Sequence, residues 1–436
     1  MGSSYTRRVV GRAVGTIVVV ASLVLAGCTD DDSAAPAPTT TIAVTTTSQA
    51  PRGNLDGQLA IGVLMPQSGN GLGQMLGTSM MLAIDMAILE INAAGGVNGK
   101  PVIRYTVDEG TDQESAAKGL DELLTKDRVD AIIGPASSKV ALALMDKIVD
   151  EKVVTCSPTA TATALTSYPD DGYFFRTIAS DSLQGKVLGE VIAETGRRST
   201  AIIASDDEYG RNLSEQLANT LRGEDTTVTS TTGYDATATD FSNVVETALA
   251  DHPASVAVIG LPDPGGRIIA ALEAAGTAPS SIFVTDGMRQ SNLADQVEQG
   301  RPESVAGIQG VSPAADPMSS WFDDAFHTYA PNAQSLYAAY AYDCTNLIAL
   351  AAQTAKTDDP TRFVTEMVPT SRNGVSCRNF TDCAPQVAEG RNVDLNGASG
   401  RIELLENGDA SYGTYEVFVF GPDGKDQTTK SKIDAL

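Results

Sequence analysis

The sequence predicts an α/β protein built as two doubly wound, parallel-sheet lobes joined by a hinge that the chain crosses several times. Three observations predict it. Strand-like apolar runs alternate with helix-length amphipathic segments from Leu59 onward. The alternation restarts at Asp181 after a short extended segment, which marks a second lobe. The 436 residues suffice for two substantial cores even after the N-terminal region is set aside. Two lobes joined in this way make a clamshell that holds a ligand in the cleft between them.

In chain order, Leu59 to Met65 reads as a buried strand, and Pro66 to Gly73 as a glycine-rich loop. Met80, Ile84, Ala87 and Ile91 recur at helical spacing, and the helix they define stops at Asn92-Ala93-Ala94-Gly95-Gly96. Strand Val102–Val107, helix Gln113–Lys126 and strand Val129–Ile133 follow. Gly134-Pro135 breaks that last strand, and Ser137 and Ser138 stand where a helix N-cap belongs. The next helix runs Lys139–Glu151, with Val140, Leu144 and Ile148 on one stripe, and strand Val153–Cys156 leads into Ser157-Pro158. Two strand ends therefore deliver Ser137, Ser138, Thr159 and Thr161 to one edge of a parallel sheet. Open α/β sheets bind ligands at that edge, and a helix N-terminus with several hydroxyls suits a small anionic group such as a carboxylate. Tyr173–Thr177 reads as the crossing into the second lobe.

There the pattern repeats with helix Asp181–Thr195, strand Thr200–Ala204, helix Tyr209–Leu221 and strand Thr226–Thr232. Helix Phe241–Leu249, strand Val256–Ile259, helix Arg267–Ala275 and strand Ile282–Thr285, ending at Asp286-Gly287, complete it. Val305–Val311 reads as the return crossing, and helices at Trp321–Tyr329 and Leu336–Thr354 rejoin the first lobe. Arg401–Phe420 alternates like antiparallel strands around the turn Glu406-Asn407-Gly408-Asp409.

Ahead of all this, Arg7, Arg8 and Arg12 precede an apolar run from Val14 to Leu25, the pattern of a signal peptide over residues 1–27. Leu25-Ala26-Gly27-Cys28 resembles a bacterial lipobox, so Cys28 is expected to carry lipid and anchor the chain to the membrane outside the cytoplasm. Thr6-Arg7-Arg8 also hints at twin-arginine export. Residues 28–56, rich in Asp, Ala, Pro and Thr, read as a disordered tether. Net charge is −25, and becomes −28 when the three arginines leave with residues 1–27. A chain so acidic, with no basic stripe, is not expected to bind nucleic acid. Cys377 and Cys383 are close enough to close a short disulfide loop in an oxidising compartment, whereas nothing in the sequence decides whether Cys156 and Cys344 meet.

The segment Gly134 to Ser138 (GPASS), followed by helix, strand and Ser157 to Thr161 (SPTAT), resembles the type I periplasmic solute-binding proteins. The similarity is greatest to the leucine/isoleucine/valine-binding proteins of ABC transporters. Further motifs carry it: Ile91 to Gly99 (INAAGGVNG), Asp206 to Gly210 (DDEYG), Ala238 to Phe241 (ATDF) and Gly397 to Gly400 (GASG). It spans about Leu59 to Phe420. The resemblance implies that Ser138 receives a ligand carboxylate and that the Thr159 carbonyl accepts from the ligand's ammonium. Thr161 contacts the α-amino-acid group, Tyr209 covers the ligand from the second lobe, and Asp286 pairs with the ammonium. Leu76 and Gly77 fall where the family places a side-chain wall, usually aromatic, and Leu261 falls near a position that is tyrosine in similar proteins. Both departures touch the pocket for the ligand's side chain and leave a small or aliphatic ligand as the expectation. The implied lobes are 57–178 with 312–405, and 179–311 with 406–436.

Enzyme readings find little support. Ser115-Ala116-Ala117-Lys118 spells S-x-x-K inside a helix, without the companion motifs of the acylating enzymes. Gly69 to Gly73 lacks nucleotide-binding spacing, and His252 and His327 are too few for a histidine-based triad or zinc site. Asp206-Asp207-Glu208 reads as a solvated acidic edge before a calcium site. The sequence thus points to a lipid-anchored binding protein, with no cofactor or metal, that captures a small amino acid or related polar solute for an ABC permease. A sensory receptor of the same fold is the alternative, and a cell-wall enzyme a disfavoured third.

Overall fold

The computed structural model describes residues 55–68, 72–110 and 112–435, with the backbone alone at 72–75. The signal peptide, Cys28, nearly all of the tether and the tip of the Gly69–Gly73 loop lie outside the described residues.

The first lobe is wound as β1 (Ala60–Met65), α1 (Leu72–Ala93), β2 (Ile103–Asp108), α2 (Gln113–Thr125), β3 (Ala131–Ile133), α3 (Ser138–Asp150), β4 (Val154–Ser157), α4 (Thr163–Thr166) and β5 (Phe174–Arg176). Its five strands run parallel in the order β2-β1-β3-β4-β5. β5 pairs with β4 through Thr155 opposite Phe174, so the segment expected to be a crossing is the edge strand of the first sheet, and the chain crosses after it. Strand order reverses beside β1. The crevice at the carboxyl ends of β1 and β3 is therefore the topological switch point where such sheets bind ligands.

The second lobe continues with α5 (Asp181–Glu194), β6 (Ser199–Ser205), α6 (Glu208–Gly223), β7 (Thr227–Tyr234), α7 (Ser242–Leu249), β8 (Ser255–Ile259), α8 (Pro262–Ala274), β9 (Ile282–Thr285), α9 (Leu293–Val297) and β10 (Gln309–Pro313). Its parallel strands repeat the first lobe's winding as β7-β6-β8-β9-β10. Successive residues of β6 serve opposite faces. Ala201 and Ile203 pack in one core, Ile202 and Ala204 in the other, as a strand covered on both sides requires.

Two expectations are corrected here. The strand read at 305–311 as the return crossing runs Gln309–Pro313 inside the second sheet. At Gly310 the Phe418 ring comes within 2.3 Å of where a Cβ would sit, so a side chain has no room. The turn at residues 406–409 is present, but the antiparallel pairing around it is a single bridge, Leu404 with Ala410, and the long hairpin lies further on. It joins β13 (Tyr412–Phe420) to β14 (Asp426–Ala435), so that the second sheet is mixed and the C-terminal segment is its edge. Residues 406–409 instead brace β5: Gly408 accepts the Arg176 N–H at 3.0 Å, and Asp409 takes the buried Arg176 Nε at 2.6 Å.

Between β10 and β13 the chain returns to the first lobe as α10 (Ser320–Tyr329), α11 (Ala338–Ala355), α12 (Pro360–Phe363), β11 (Val375–Cys377), α13 (Phe380–Ala388) and β12 (Val393–Leu395). α11 is buried all round because it lies inside that core, beside β3 and β4, and its few polar residues such as Asp343 and Asn346 are buried with it. Two disulfides fix this region. Cys377–Cys383 closes the expected short loop, and Cys156–Cys344, which the sequence left open, ties β4 to α11 with Cα atoms 5.7 Å apart.

Candidate functional site

The site is assembled from loops at the carboxyl ends of both sheets. Gly134, at φ +117, turns the chain after β3, and a Cβ there would meet the Leu64 carbonyl at 2.0 Å. Ser137 occupies the N-cap position of α3, yet its exposed side chain makes no capping bond, which corrects the expectation for that hydroxyl. Ser138, 5% exposed, turns inward instead: its Oγ accepts the N–H groups of Thr161 at 3.1 Å and Ala162 at 3.2 Å. With both lone pairs engaged, the Ser138 hydroxyl hydrogen is left free to donate to a ligand. Thr159 donates its hydroxyl to the Ala136 carbonyl at 2.8 Å, locking the loop after β4 to the loop after β3. Buried Arg176 supports the same loop from behind by donating to the carbonyls of Ala160 and Ala162.

From the second lobe, Asp286 follows β9 and is 5% exposed. Its Oδ1 accepts from Gln184 Nε2 at 2.6 Å and from the Tyr209 hydroxyl at 2.8 Å, and its Oδ2 accepts from the Tyr337 hydroxyl. The structure thus brings Tyr209 and Asp286 together, and brings Ser138, Thr159 and Thr161 together. The Thr161 carbonyl accepts the N–H of Asp181 at 2.8 Å, at the start of α5, whose Gln184 bonds Asp286. Leu76 is half-buried against the first lobe's core. Gly77 has a packing reason to be glycine, since a Cβ would lie 1.8 Å from the Pro66 carbonyl oxygen. Leu261 is 54% exposed.

Several residues of the site escaped the sequence reading. Asp181, the first residue of α5, is fully buried, and neither carboxylate oxygen has a hydrogen-bond partner among the described residues. Burial pushes its carboxyl up to about 8 and the negative Asp286 adds to the rise, while the Thr161 hydroxyl, nearby but outside hydrogen-bond geometry, and the Arg176 charge draw it down. Gln184, one turn along α5, has an equally orphaned Oε1. Both read in sequence as ordinary first-turn helix residues. Tyr337 precedes α11 with φ +63, a left-handed conformation that no local pattern announces for a bulky residue, and carries its hydroxyl across to the second lobe's Asp286. The lobes also meet where Asn212 Oδ1 accepts from the Thr163 hydroxyl and from the Ala164 N–H.

A cavity of about 430 Å³ is lined by Tyr337 of this cluster together with, among others, Arg289, Asp323, His327 and Glu416. The acidic edge before Tyr209 is spent locally. Asp207 caps α6 through the Gly210 N–H, and Asp206 and Glu208 pair with Arg211. Ser115 stands in the first turn of α2 rather than mid-helix, bonded to Asp112, while Lys118 pairs with Glu114.

Residues 58–390 match the periplasmic binding protein family. The chain belongs to that family. Among curated relatives, the chemotactic signal transduction system substrate-binding protein BasB of Halobacterium salinarum is 28% identical over 360 residues, 79% of this chain and 83% of the relative. The leucine-, isoleucine-, valine-, threonine- and alanine-binding protein of Pseudomonas aeruginosa is 36% identical over 120 residues, 27% of this chain and 31% of the relative. Among solved structures, the branched-chain amino acid transporter substrate-binding protein LivJ of Streptococcus pneumoniae, in complex with isoleucine, superposes with a TM-score of 0.70. It is 22% identical, with 87% of this chain and 100% of that chain covered. The periplasmic binding protein fold seen here is therefore the type I clamshell of that group, a fold of binding proteins rather than of enzymes.

Proposed function

We propose that this periplasmic binding protein captures a free amino acid, or a solute with the same two charges, between its lobes. The observation that carries the reading is the polarity of the inter-lobe cluster. Asp181 and Asp286 offer buried carboxylates to an ammonium, while Ser138 and Thr161, within one hydrogen-bonded loop system, offer hydroxyls to a carboxylate. The pairs Tyr337–Asp286 and Asn212–Thr163 bridge lobes taken as 57–178 with 312–405 and 179–311 with 406–436. We take these as the two bodies that close on the ligand.

The names of relatives support amino acids as the ligand class, and the ABC transporter named for one structural neighbour that binds leucine supports such a transporter as recipient. The lipobox-like Leu25–Cys28 supports delivery from a lipid anchor on Cys28, outside the cytoplasm. Sensing is a second reading, favoured by the likeness to a chemotactic binding protein over 79% of the chain. A thermal-shift screen against amino acids, amides, urea and short-chain acids tests the ligand class, because a ligand of the native state alone raises the melting temperature. We expect amino acids to give the largest shifts. Shifts with acids alone, or with none of the amino acids, would contradict it.

A further inference from the structure

Asp108, the last residue of β2, and Glu109, the residue after it, organise both binding loops of the first lobe. The two neighbouring carboxylates serve different loops, Asp108 the one after β1 and Glu109 the one after β3. Asp108 Oδ1 accepts N–H bonds from Gln67 at 2.8 Å and Ser68 at 3.3 Å, in the loop after β1, and from Gly110 at 2.8 Å. Glu109, 3% exposed, reaches the loop after β3, where its two oxygens take one N–H each, Ala136 at 2.7 Å and Ser137 at 3.2 Å. The other side of that loop is held from β4, since Ser157 Oγ donates to the Pro135 carbonyl at 2.7 Å and Thr159 to the Ala136 carbonyl. The Ala136 peptide is therefore gripped at both its N–H and its carbonyl, and Ser138 follows two residues later.

We propose that Glu109 is a positioning residue for the anion end of the cleft: it holds the β3–α3 loop so that the Ser138 hydroxyl is presented to the ligand's carboxylate. This rests on the amino-acid reading above. The pair of N–H groups that Glu109 occupies is itself the anion-binding feature expected before a helix. Glu109 fills it from within and leaves Ser138 and Thr161 to meet the ligand. A carboxylate suits the task because both its oxygens accept; a glutamine keeps one acceptor and sets an NH2 against the second N–H. Burying this carboxyl pushes it up to about 7, against the two N–H bonds that draw it down, with Asp108 adding to the rise. The position costs stability unless it serves the loop.

The test uses the full chain and the variant Glu109→Gln. Hydrogen exchange without ligand should quicken at Ala136, Ser137, Thr161 and Ala162, but not at Gln67 and Ser68, which Asp108 holds. In titrations, L-isoleucine should bind about tenfold more weakly to the variant, while 2-methylbutylamine, the same molecule without its carboxyl, changes less than about twofold. In a Ser138→Ala background the Glu109→Gln effect on isoleucine should largely vanish, because the two residues act as one unit. Unchanged exchange at Ser137 and Thr161, equal losses for isoleucine and the amine, or an undiminished effect beside Ser138→Ala would each overturn the proposal. A wild type that ignores isoleucine counts against the amino-acid reading, and the exchange measurement still decides the role of Glu109. Should the variant fail to fold, the wild type serves: Ala136 and Ser137 amides that exchange as fast as exposed loop amides would overturn it.

Discussion

If the cleft holds an amino acid as proposed, Asp181, with its buried carboxyl unpartnered among the described residues, is the residue whose charge binding changes most. Its carboxyl is pushed up to about 8 by burial, with Asp286 adding to the rise, so the ligand-free protein holds it mostly protonated at neutral pH. The sign follows from linkage. A carboxyl raised in the folded state contributes stability that is full below its ordinary range near 4 and is lost as pH rises toward 8. An ammonium beside Asp181 favours its ionised form and reverses that loss. The melting-temperature gain from a bound amino acid should therefore grow between about pH 5 and pH 8, with a proton released on binding. Isothermal titration in two buffers of different ionisation enthalpy reads that proton directly. Asp181→Asn should abolish both effects, and a pH-independent gain in the wild type would contradict the assignment.

At the scale of elements, α11 and β4 act as one piece because Cys344 and Cys156 join them across a separation of 188 residues. Closing so long a loop restrains the unfolded chain strongly, and Cys344→Ser should lower stability by about 2–5 kcal/mol in denaturant titrations of the oxidised protein. A midpoint unchanged by that substitution would show the bridge to be idle. Most elements were legible in the sequence because burial on both sheet faces writes continuous apolar runs such as Ala201–Ala204 and Val256–Ile259. The misreadings have a common cause. The strands in the misread segments, Phe174–Arg176, Gln309–Pro313 and Tyr412–Phe420, are all extended, and an extended segment does not announce its partner strand; register is a tertiary property. Polar C-terminal β14 gave no apolar signal at all, since one face of an edge strand is water. In the site, Ser138, Thr161 and Tyr209 stand in motifs and Asp286 at a legible strand end, whereas Asp181 and Tyr337 depend on how α5 and α11 dock. Glu109 was hidden for the same reason, because its partners lie 27 and 28 residues away.

For the whole molecule, two lobes of the same winding face each other with their strand carboxyl ends toward one cleft, and Tyr337 and Asn212 bridge them. A clamshell of this kind delivers or reports its ligand only if it is held where its partner waits. Cys28→Ala should leave the mature chain unlipidated and lost from the membrane fraction, because acyl chains supply the membrane affinity. Undiminished membrane retention of that variant in fractionated cells would refute the anchor. The central claim, that the cleft grips a zwitterion, is tested most directly by titrating wild type and Asp286→Ala with L-isoleucine and with 3-methylpentanoate, its des-amino analogue. A charge-assisted bond in a closed cleft is worth about 1.5–3 kcal/mol, so Asp286→Ala should lose roughly ten- to a hundredfold in isoleucine affinity and almost nothing for the acid. Ser115→Ala, on α2, should match wild type for both. Wild-type isoleucine affinity in Asp286→Ala would contradict the account.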